Sequence, residues 1–242
     1  MKLIKSQVVF NPDEHTYMLG DKELSGITSV IGRQLFPDKY RDVPEDVLRK
    51  AAERGTMIHS ICELVDDIGI THDSDEAQGY KELKDDWGLR YECSEYLVSD
   101  NEHYASCIDK VYRENDTDFT LGDIKTTYVL DKESVRWQLS IYAYLFELQN
   151  PGCNAVRLIG IWLRGKNHEI VEVERIPSEI VINLLKCDSE GRQFVNPYSI
   201  SPVTLPDEYR KMERTIQEIV SQAKYWSDKK KEITDGVMMA MV

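Results

Sequence analysis

Two aspartates and a lysine are spaced so that they would meet on one face of a β-hairpin. Asp123 and Lys125 are two residues apart, so a strand directs both side chains to the same face. A hairpin centred on Asp116 sets Asp109 opposite Asp123, with Cβ atoms about 4.5–5.5 Å apart. Carboxylate oxygens are preferred ligands of Mg²⁺ and Mn²⁺, and a neighbouring ammonium group orients water or balances developing charge. The spacing therefore predicts metal-assisted hydrolysis of a phosphodiester bond.

Two predicted helices carry further polar pairs, each at a spacing of four residues. His59 and Glu63 share a face of the first helix, and imidazole is a metal ligand. Gln138 and Tyr142 share a face of the second, and both are neutral groups that hydrogen-bond a phosphate or a water. Taken singly, each of these two patterns is more typical of a solvated face or of ordinary packing than of a functional site. The same holds for an aspartate and a lysine two residues apart on a strand.

Taken together, the motifs resemble the PD-(D/E)XK nuclease superfamily, and within it the RecB-type and phage RecE-like exonucleases. The matching residues follow the order of that family: Arg54-Gly55-Thr56-Met57-Ile58-His59, then Asp109, then Asp123-Ile124-Lys125, then Gln138 and Tyr142. Asp109 follows Ile108, where the superfamily's name has a proline. The resemblance implies a restriction-endonuclease-like core, in which helices flank a central mixed β-sheet.

The resemblance also implies the metal ligands. Asp109, Asp123 and the carbonyl group of Ile124 would bind Mg²⁺ or Mn²⁺, His59 would complete the shell, and Glu95 would hold a second ion through water.

Some relatives carry an iron–sulfur cluster, which needs four converging cysteines. No such cluster is expected here, because none of the five cysteines forms a C-x-x-C pair: Cys62, Cys93, Cys107, Cys153 and Cys187.

By the same resemblance, Lys125 would position the attacking water or balance the developing charge. Gln138 would help to place that water or the scissile phosphate, and Tyr142 would support Gln138. Glu63 is either an outer partner of the ligands or a solvated helix residue.

The sequence therefore predicts a metal-dependent deoxyribonuclease, specifically a phage or prophage exonuclease in recombination or DNA end processing. The alternatives are an endonuclease of the same fold and a nucleic-acid-binding or scaffold module with a decayed site.

Composition indicates a globular protein outside the membrane. Of 242 residues, 41% are hydrophobic and 30% are charged, and no apolar run is long enough for a transmembrane helix. The N-terminus lacks the apolar core of a signal peptide, and an odd number of cysteines without a disulfide framework suggests reduced thiols. We therefore expect a cytoplasmic location and no membrane partner.

The net charge of −13 is unusual for a protein that binds nucleic acid. Much of the acid lies in residues 63–102, which we expect to form a solvated helical excursion away from DNA. Weak non-specific DNA affinity would follow, unless an oligomer gathers basic surfaces. The expected partners are DNA, a single-strand annealing protein and further copies of this chain in a ring. The apolar tail 237–242 is a candidate subunit contact, and a monomer remains the alternative.

Hydrophobic periodicity predicts an α/β fold in which helices flank a central mixed sheet. We expect one nuclease-like domain over residues 1–242, with an N-terminal lead-in over 1–40 and a C-terminal helical segment over 206–242. The predicted strands span residues 8–19, 22–24, 94–99, 105–112, 117–126, 155–163 and 168–176. The predicted helices span residues 28–34, 45–67 (as one helix or two), 75–87, 132–149 and 206–233, and a further helix begins at 177.

Overall fold

The computed structural model describes residues 2–12, 14–69 and 73–199, together with separate positions between 219 and 234. The chain divides into two units, Met1–Val195 and Asn196–Val242, and every element named below belongs to the first. In the second unit, the described positions of the predicted 206–233 helix are helical. The other positions of that predicted helix and the 237–242 tail lie outside the described residues.

The first unit is built on a mixed sheet, as the sequence predicts. Its strands follow the order β1-β2-β3-β5-β6-β7-β8, and β4 pairs with β5 outside this path. The β3–β5 and β6–β7 pairs are parallel and the others are antiparallel. The strands are β1 Val9–Asn11, β2 Thr16–Leu19, β3 Lys22–Gly26, β4 Tyr91–Ser99, β5 Tyr104–Arg113, β6 Asp118–Lys125, β7 Asn154–Arg164 and β8 Asn167–Glu172.

Helices cover both faces of this sheet. They are α1 Ile27–Leu35, α2 Glu45–Ile68, α3 Asp75–Asp86, α4 Lys132–Gln149 and α5 Ser178–Ser189. The predicted 45–67 segment is a single helix, which ends at Gly69 in the left-handed conformation that glycine adopts at low cost. Asp131 caps α4, because its carboxylate accepts a hydrogen bond from the backbone N–H of Ser134 at 3.0 Å.

The two faces hold separate cores, and this separation decides how the site is assembled. Alternate residues of a strand point to opposite faces. Val111, Phe119 and Leu121 therefore pack in the core shared with α1, α4 and α5, whereas Tyr112 and Ile124 pack in the core shared with α2 and α3. Side chains of α2 and α4 consequently reach the sheet from opposite sides. Side chains from the two helices can approach one another where neighbouring strands of the sheet separate.

The central hairpin has the predicted register. Lys110 pairs with Gly122 and Val111 pairs with Leu121, so the turn is centred on Asp116. Two other expectations are wrong. Residues 8–19 form two strands, and the acidic 63–102 segment is not a solvated excursion, since it includes β4 and an α3 whose inner face is buried. Among the helices that the structure describes, none is long and apolar enough to cross a bilayer.

Candidate metal-binding and catalytic site

The site lies at an interruption in the pairing of β5. One edge of β5 pairs with β4 from Ala105 to Tyr112. The other edge of β5 pairs with two strands in turn: with β3 at Tyr104 and Ala105, and with β6 from Lys110 onward. Within the described pairing, residues 106–109 therefore have no strand partner on that edge. The gap admits side chains from both faces of the sheet.

Asp109 occupies the end of this gap. In the register of the hairpin it would pair with Asp123, but instead its Oδ2 accepts a hydrogen bond of 2.6 Å from the backbone N–H of Ile124. Both carboxyl groups are buried, Asp109 with 8% exposure and Asp123 with none. Burial raises the pKa of Asp109; His59 opposes this rise and the charge of Asp123 adds to it.

His59 reaches the gap from α2, on the opposite face from α4. Its Nε2 lies 3.3 Å from the carbonyl oxygen of Ile124 and 3.8 Å from Oδ2 of Asp109. Its Nδ1 lies 3.8 Å from Oε1 of Glu95. Burial alone lowers the pKa of His59, but Asp109 and Glu95 outweigh burial and raise it to about 9. The imidazole is therefore mainly protonated at neutral pH in the absence of another cation.

Glu95 enters the site through an unusual backbone conformation. Its neighbours Ser94 and Tyr96 pair with Lys110 and Ile108, so the register places Glu95 opposite Asp109. Glu95 has a φ of 47°, in the left-handed region that costs an ordinary residue roughly 1–2 kcal/mol. Burial raises the pKa of Glu95, but hydrogen bonding to His59 and Cys107 lowers it overall. Such strain inside a strand is typical of a position fixed for function.

These groups form a donor set suited to a hard divalent cation. His59, Glu95 and Asp109 each offer one ligand atom, and these three atoms lie within 4.8 Å of one another. The carbonyl oxygen of Ile124 is adjacent, at 3.3 Å from the imidazole. Carboxylate and carbonyl oxygens with one imidazole suit Mg²⁺ or Mn²⁺, and a cation would relieve the repulsion between buried carboxylates. The residues present therefore fit the metal that the sequence predicts.

Asp123 faces a different set of partners. Its Oδ2 lies 2.7 Å from Nζ of Lys125, and its Oδ1 accepts a 2.7 Å hydrogen bond from Nε2 of Gln138. Lys125 also donates to Oε1 of Gln138 at 3.1 Å. Asp123 consequently lies outside the compact group of three ligands, and its contacts are with Lys125 and Gln138.

A hydrogen-bonded chain continues from Gln138 across the gap. Nε2 of Gln138 donates to the Tyr142 hydroxyl at 2.7 Å, and this hydroxyl also accepts from Ser106 at 3.2 Å. Gln138 and Tyr142 are both buried, one helical turn apart on α4. The chain fixes the amide of Gln138 so that its oxygen faces Lys125 and its nitrogen faces Asp123.

The structure brings every predicted site residue to this gap and adds residues that the spacing did not reveal. Ser106 fills the unpaired edge, and Cys107 donates to Glu95 at 3.1 Å. A cavity of about 550 Å³ opens over the ligands, and Glu63 lies in its wall. Neither Ser106 nor Cys107 shows a sequence signal, because their roles depend on where β3 and β6 stop pairing with β5.

No protein-family model and no curated protein sequence matches this chain. The solved structures that are similar to this chain include the following two. The crystal structure of SSO0001 is 14% identical, over 72% of this chain and 78% of that chain, with a TM-score of 0.43. The crystal structure of an alkaline exonuclease (LHK-Exo) from Laribacter hongkongensis is 10% identical, over 83% of this chain and 93% of that chain, with a TM-score of 0.41. Neither similarity bears on the chemistry of the site.

Proposed function

We propose that this protein is a metal-dependent deoxyribonuclease, and specifically a phage-type exonuclease that acts in recombination or DNA end processing. One observation carries the nuclease proposal. At a single interruption of the sheet, the His59, Glu95 and Asp109 group lies beside the Asp123, Lys125 and Gln138 system. The exonuclease and phage assignments rest on the motif resemblance.

Asp109, Glu95 and His59 would hold the metal ion, with Asp123 and the Ile124 carbonyl as the adjoining donors. When bound, Mg²⁺ or Mn²⁺ supplies Lewis-acid polarisation of a phosphate oxygen. The buried position of Asp109, with its backbone hydrogen bond from Ile124, keeps the carboxylate in place before any ligand arrives.

Lys125 would act as an ammonium group. Burial lowers the pKa of Lys125, but Asp123 and Asp109 raise it overall, so Nζ keeps its proton at neutral pH. A protonated amine donates hydrogen bonds and cannot accept a proton. This charge state supports stabilisation of the negative charge that develops on the phosphate, in preference to deprotonation of water by Lys125.

Gln138 would orient the groups around the scissile phosphate. It is hydrogen-bonded to Asp123, Lys125 and Tyr142, which leaves its side chain few alternative positions. Positioning of this kind lowers the barrier because the reacting groups no longer have to be brought into alignment. Tyr142 accepts a hydrogen bond from Gln138, and Ser106 in turn donates one to Tyr142.

The proposal is tested with end-labelled linear duplex and closed circular duplex, each with Mg²⁺, Mn²⁺ or excess EDTA. We expect metal-dependent digestion of linear DNA, abolished by Asp109→Ala or Asp123→Ala. Asp86→Ala is the matched control, because this exposed aspartate lies on α3 away from the gap. Cleavage of circular DNA at the same rate would indicate an endonuclease. Binding without any cleavage would indicate an inactive binding module, and full activity in EDTA would refute the metal site.

The proposed ring, the annealing-protein partner and the cytoplasmic location stay predictions. Light scattering at micromolar concentration, with the whole chain and with residues 234–242 removed, tests the assembly. A single mass corresponding to the monomer would refute the ring.

A further inference from the structure

Two exposed tyrosines lie near Lys125, one in space and one along the chain, and each has a cation against its ring. Tyr40 is 55% exposed and Tyr128 is 81% exposed. Nζ of Lys39 lies 5.6 Å from the centroid of the Tyr40 ring, and Cζ of Arg164 lies 5.6 Å from the centroid of the Tyr128 ring. Contacts of this kind attract the cation to one face of the ring and so favour a particular orientation of it. With this much of each ring exposed, a second planar group has room to stack on it.

Tyr40 borders a depression that adjoins the proposed catalytic residues, and Tyr128 follows a residue of its wall. Tyr40 lines a cavity of about 170 Å³ whose wall also contains Lys125, Gln138 and Thr127. Tyr128 follows Thr127 directly and is only three residues from Lys125, a distance of at most roughly 11 Å along the chain. A strand whose phosphate lies at Lys125 would therefore place neighbouring nucleosides beside these rings.

The backbone that presents Tyr128 is fixed by strand β7. Nη1 of Arg164 donates to the carbonyl oxygen of Thr126 at 3.1 Å, and Nε1 of Trp162 donates to that of Thr127 at 2.7 Å. The hydroxyl of Thr127 also donates to the carbonyl oxygen of Val129 at 2.8 Å. Tyr128 is thus an aromatic ring on a braced turn, for which binding costs little conformational entropy.

The turn that presents Tyr40 is braced from α4. Nζ of Lys39 lies 2.7 Å from Oδ2 of Asp131, the residue that caps α4. The same ammonium lies 5.4 Å from the centroid of the Phe36 ring, and the backbone N–H of Lys39 donates to the carbonyl oxygen of Phe36 at 3.1 Å. Tyr40 is therefore held close to the N-terminus of α4 and to Gln138.

We propose that Tyr40 and Tyr128 stack the bases of an unpaired strand of nucleic acid whose phosphate lies at Lys125. Aromatic side chains bind single strands in this way because every base has a free π face once it is unpaired. Inside a duplex each base is covered on both faces, so the tyrosines would find a free π face only at a duplex end. The inference rests on the proposed nuclease function for its biological meaning, although stacking itself needs neither metal nor catalysis.

The charge of the protein favours the same substrate. Binding to a duplex depends mainly on phosphate contacts from lysine and arginine, and this chain has a net charge of −13. Stacking supplies affinity that does not depend on neutralising phosphates. Loss of one stacking side chain typically weakens single-strand binding roughly 5- to 150-fold.

The test measures binding of the full chain in EDTA, where a metal-dependent enzyme does not cleave. Fluorescence anisotropy follows a labelled single-stranded oligodeoxynucleotide and, separately, a duplex of the same sequence. We expect Tyr128→Ala and Tyr40→Ala each to weaken single-strand binding roughly 5- to 150-fold, with little effect on the duplex. Tyr128→Phe and Tyr40→Phe keep the ring, so we expect them to bind like the parent protein.

Val156→Ala is the matched control. Val156 is an exposed apolar residue on the same strand as Arg164, but it lies near the end that pairs with the start of β6, far from Lys125. Single-strand affinities for both alanine variants within a factor of two of the parent value, or an equal loss for duplex and single strand, would overturn the proposal. Because Asp109→Ala and Lys125→Ala test the nuclease reaction separately, failure of stacking and failure of the proposed function give different results.

Discussion

Asp66 is the residue whose replacement should destabilise the folded protein most informatively. Its side chain is fully buried beneath the site, on α2. Oδ2 accepts hydrogen bonds of 2.7 Å from both Lys110 and the Tyr80 hydroxyl, and Oδ1 accepts one of 2.5 Å from Lys84. The Lys110 side chain is only 2% exposed. Its other described hydrogen bond goes to the Ser94 hydroxyl at 2.7 Å, and its ammonium group also lies near the rings of Tyr80 and Tyr91.

Asp66→Leu would leave the ammonium group of Lys110 buried without its counter-charge. Removal of one partner from a buried ion pair costs about 3–5 kcal/mol of unfolding free energy, whereas replacement of both partners by apolar groups is often nearly neutral. We therefore expect Asp66→Leu to lose about 3–5 kcal/mol and the double variant Asp66→Leu, Lys110→Met to recover part of it. The recovery is partial because Lys84 and the Tyr80 hydroxyl would still lack the carboxylate. Lys110→Met alone should cost less, because Asp66 would keep Lys84 and Tyr80.

Urea unfolding of the three variants in EDTA measures these differences. The control is Glu53→Ala, which breaks an exposed pair with Arg49 and should cost only about 0.3–0.5 kcal/mol. A loss below about 1 kcal/mol for Asp66→Leu would contradict the buried-pair reasoning. So would a double variant as unstable as Asp66→Leu.

The pair also bears on the site, since it joins the helix of His59 to the strand of Asp109. Asp66 lies two helical turns after His59, about 10 Å along α2, and Lys110 follows Asp109 directly. A stable double variant should therefore still bind Mn²⁺ more weakly than the parent, because α2 would lose a polar tie that sets its position. Calorimetry with Mn²⁺ measures this effect independently of cleavage.

Three further predictions concern single residues of the site. Lys125→Ala should lower cleavage roughly 10²–10⁴-fold while calorimetry still detects Mn²⁺ binding, and activity within threefold of the parent would refute its role. Because the pKa of His59 is raised from 6.5 to about 9, its stabilising contribution to the metal-free fold is complete below pH 6.5 and lost as pH rises through 9. Mn²⁺ affinity should rise over the same range as the imidazole loses its proton, and His59→Gln should flatten both pH profiles. Glu95→Gly should be roughly 1 kcal/mol more stable than Glu95→Ala in urea unfolding, since glycine adopts a φ of 47° without strain; equal stability would argue against strain there.

Many of the strands and helices could be predicted from the sequence, because turn residues and helix caps near each element determine where it begins. The Asp116-centred register follows from turn residues between two strand-like runs. The helix α4 has the predicted bounds, and its first residue follows Asp131, which caps it. The prediction of one strand over 8–19 was wrong because a turn interrupts it, with His15 at a φ of 53°.

The candidate site could be predicted only as far as its motifs extend. The spacing of Asp109, Asp123 and Lys125 indicates that they share a face, but it does not show that Asp123 turns to Lys125 and Gln138 while Asp109 joins His59 and Glu95. That division depends on the separation of β5 from β6, a tertiary feature. The stacking tyrosines and the buried Asp66 pair depend on contacts between distant segments and leave no periodic signal.

The acidic charge of this chain is distributed in a way that suits an unpaired strand. Several carboxylates of the 63–102 segment form part of the fold: Asp66 lies beneath Lys110, Glu92 pairs with Arg113 at 2.7 Å, and Glu95 faces His59. These groups have partners inside the protein, so they add little negative potential of their own at the gap. Because Lys110 and Arg113 are already counted in the net charge of −13, the excess of acid comes from other residues. The remaining surface acids still oppose the many phosphate contacts of a duplex. The proposed stacking on Tyr40 and Tyr128, near Lys125, would therefore provide binding where electrostatic attraction alone would be weak.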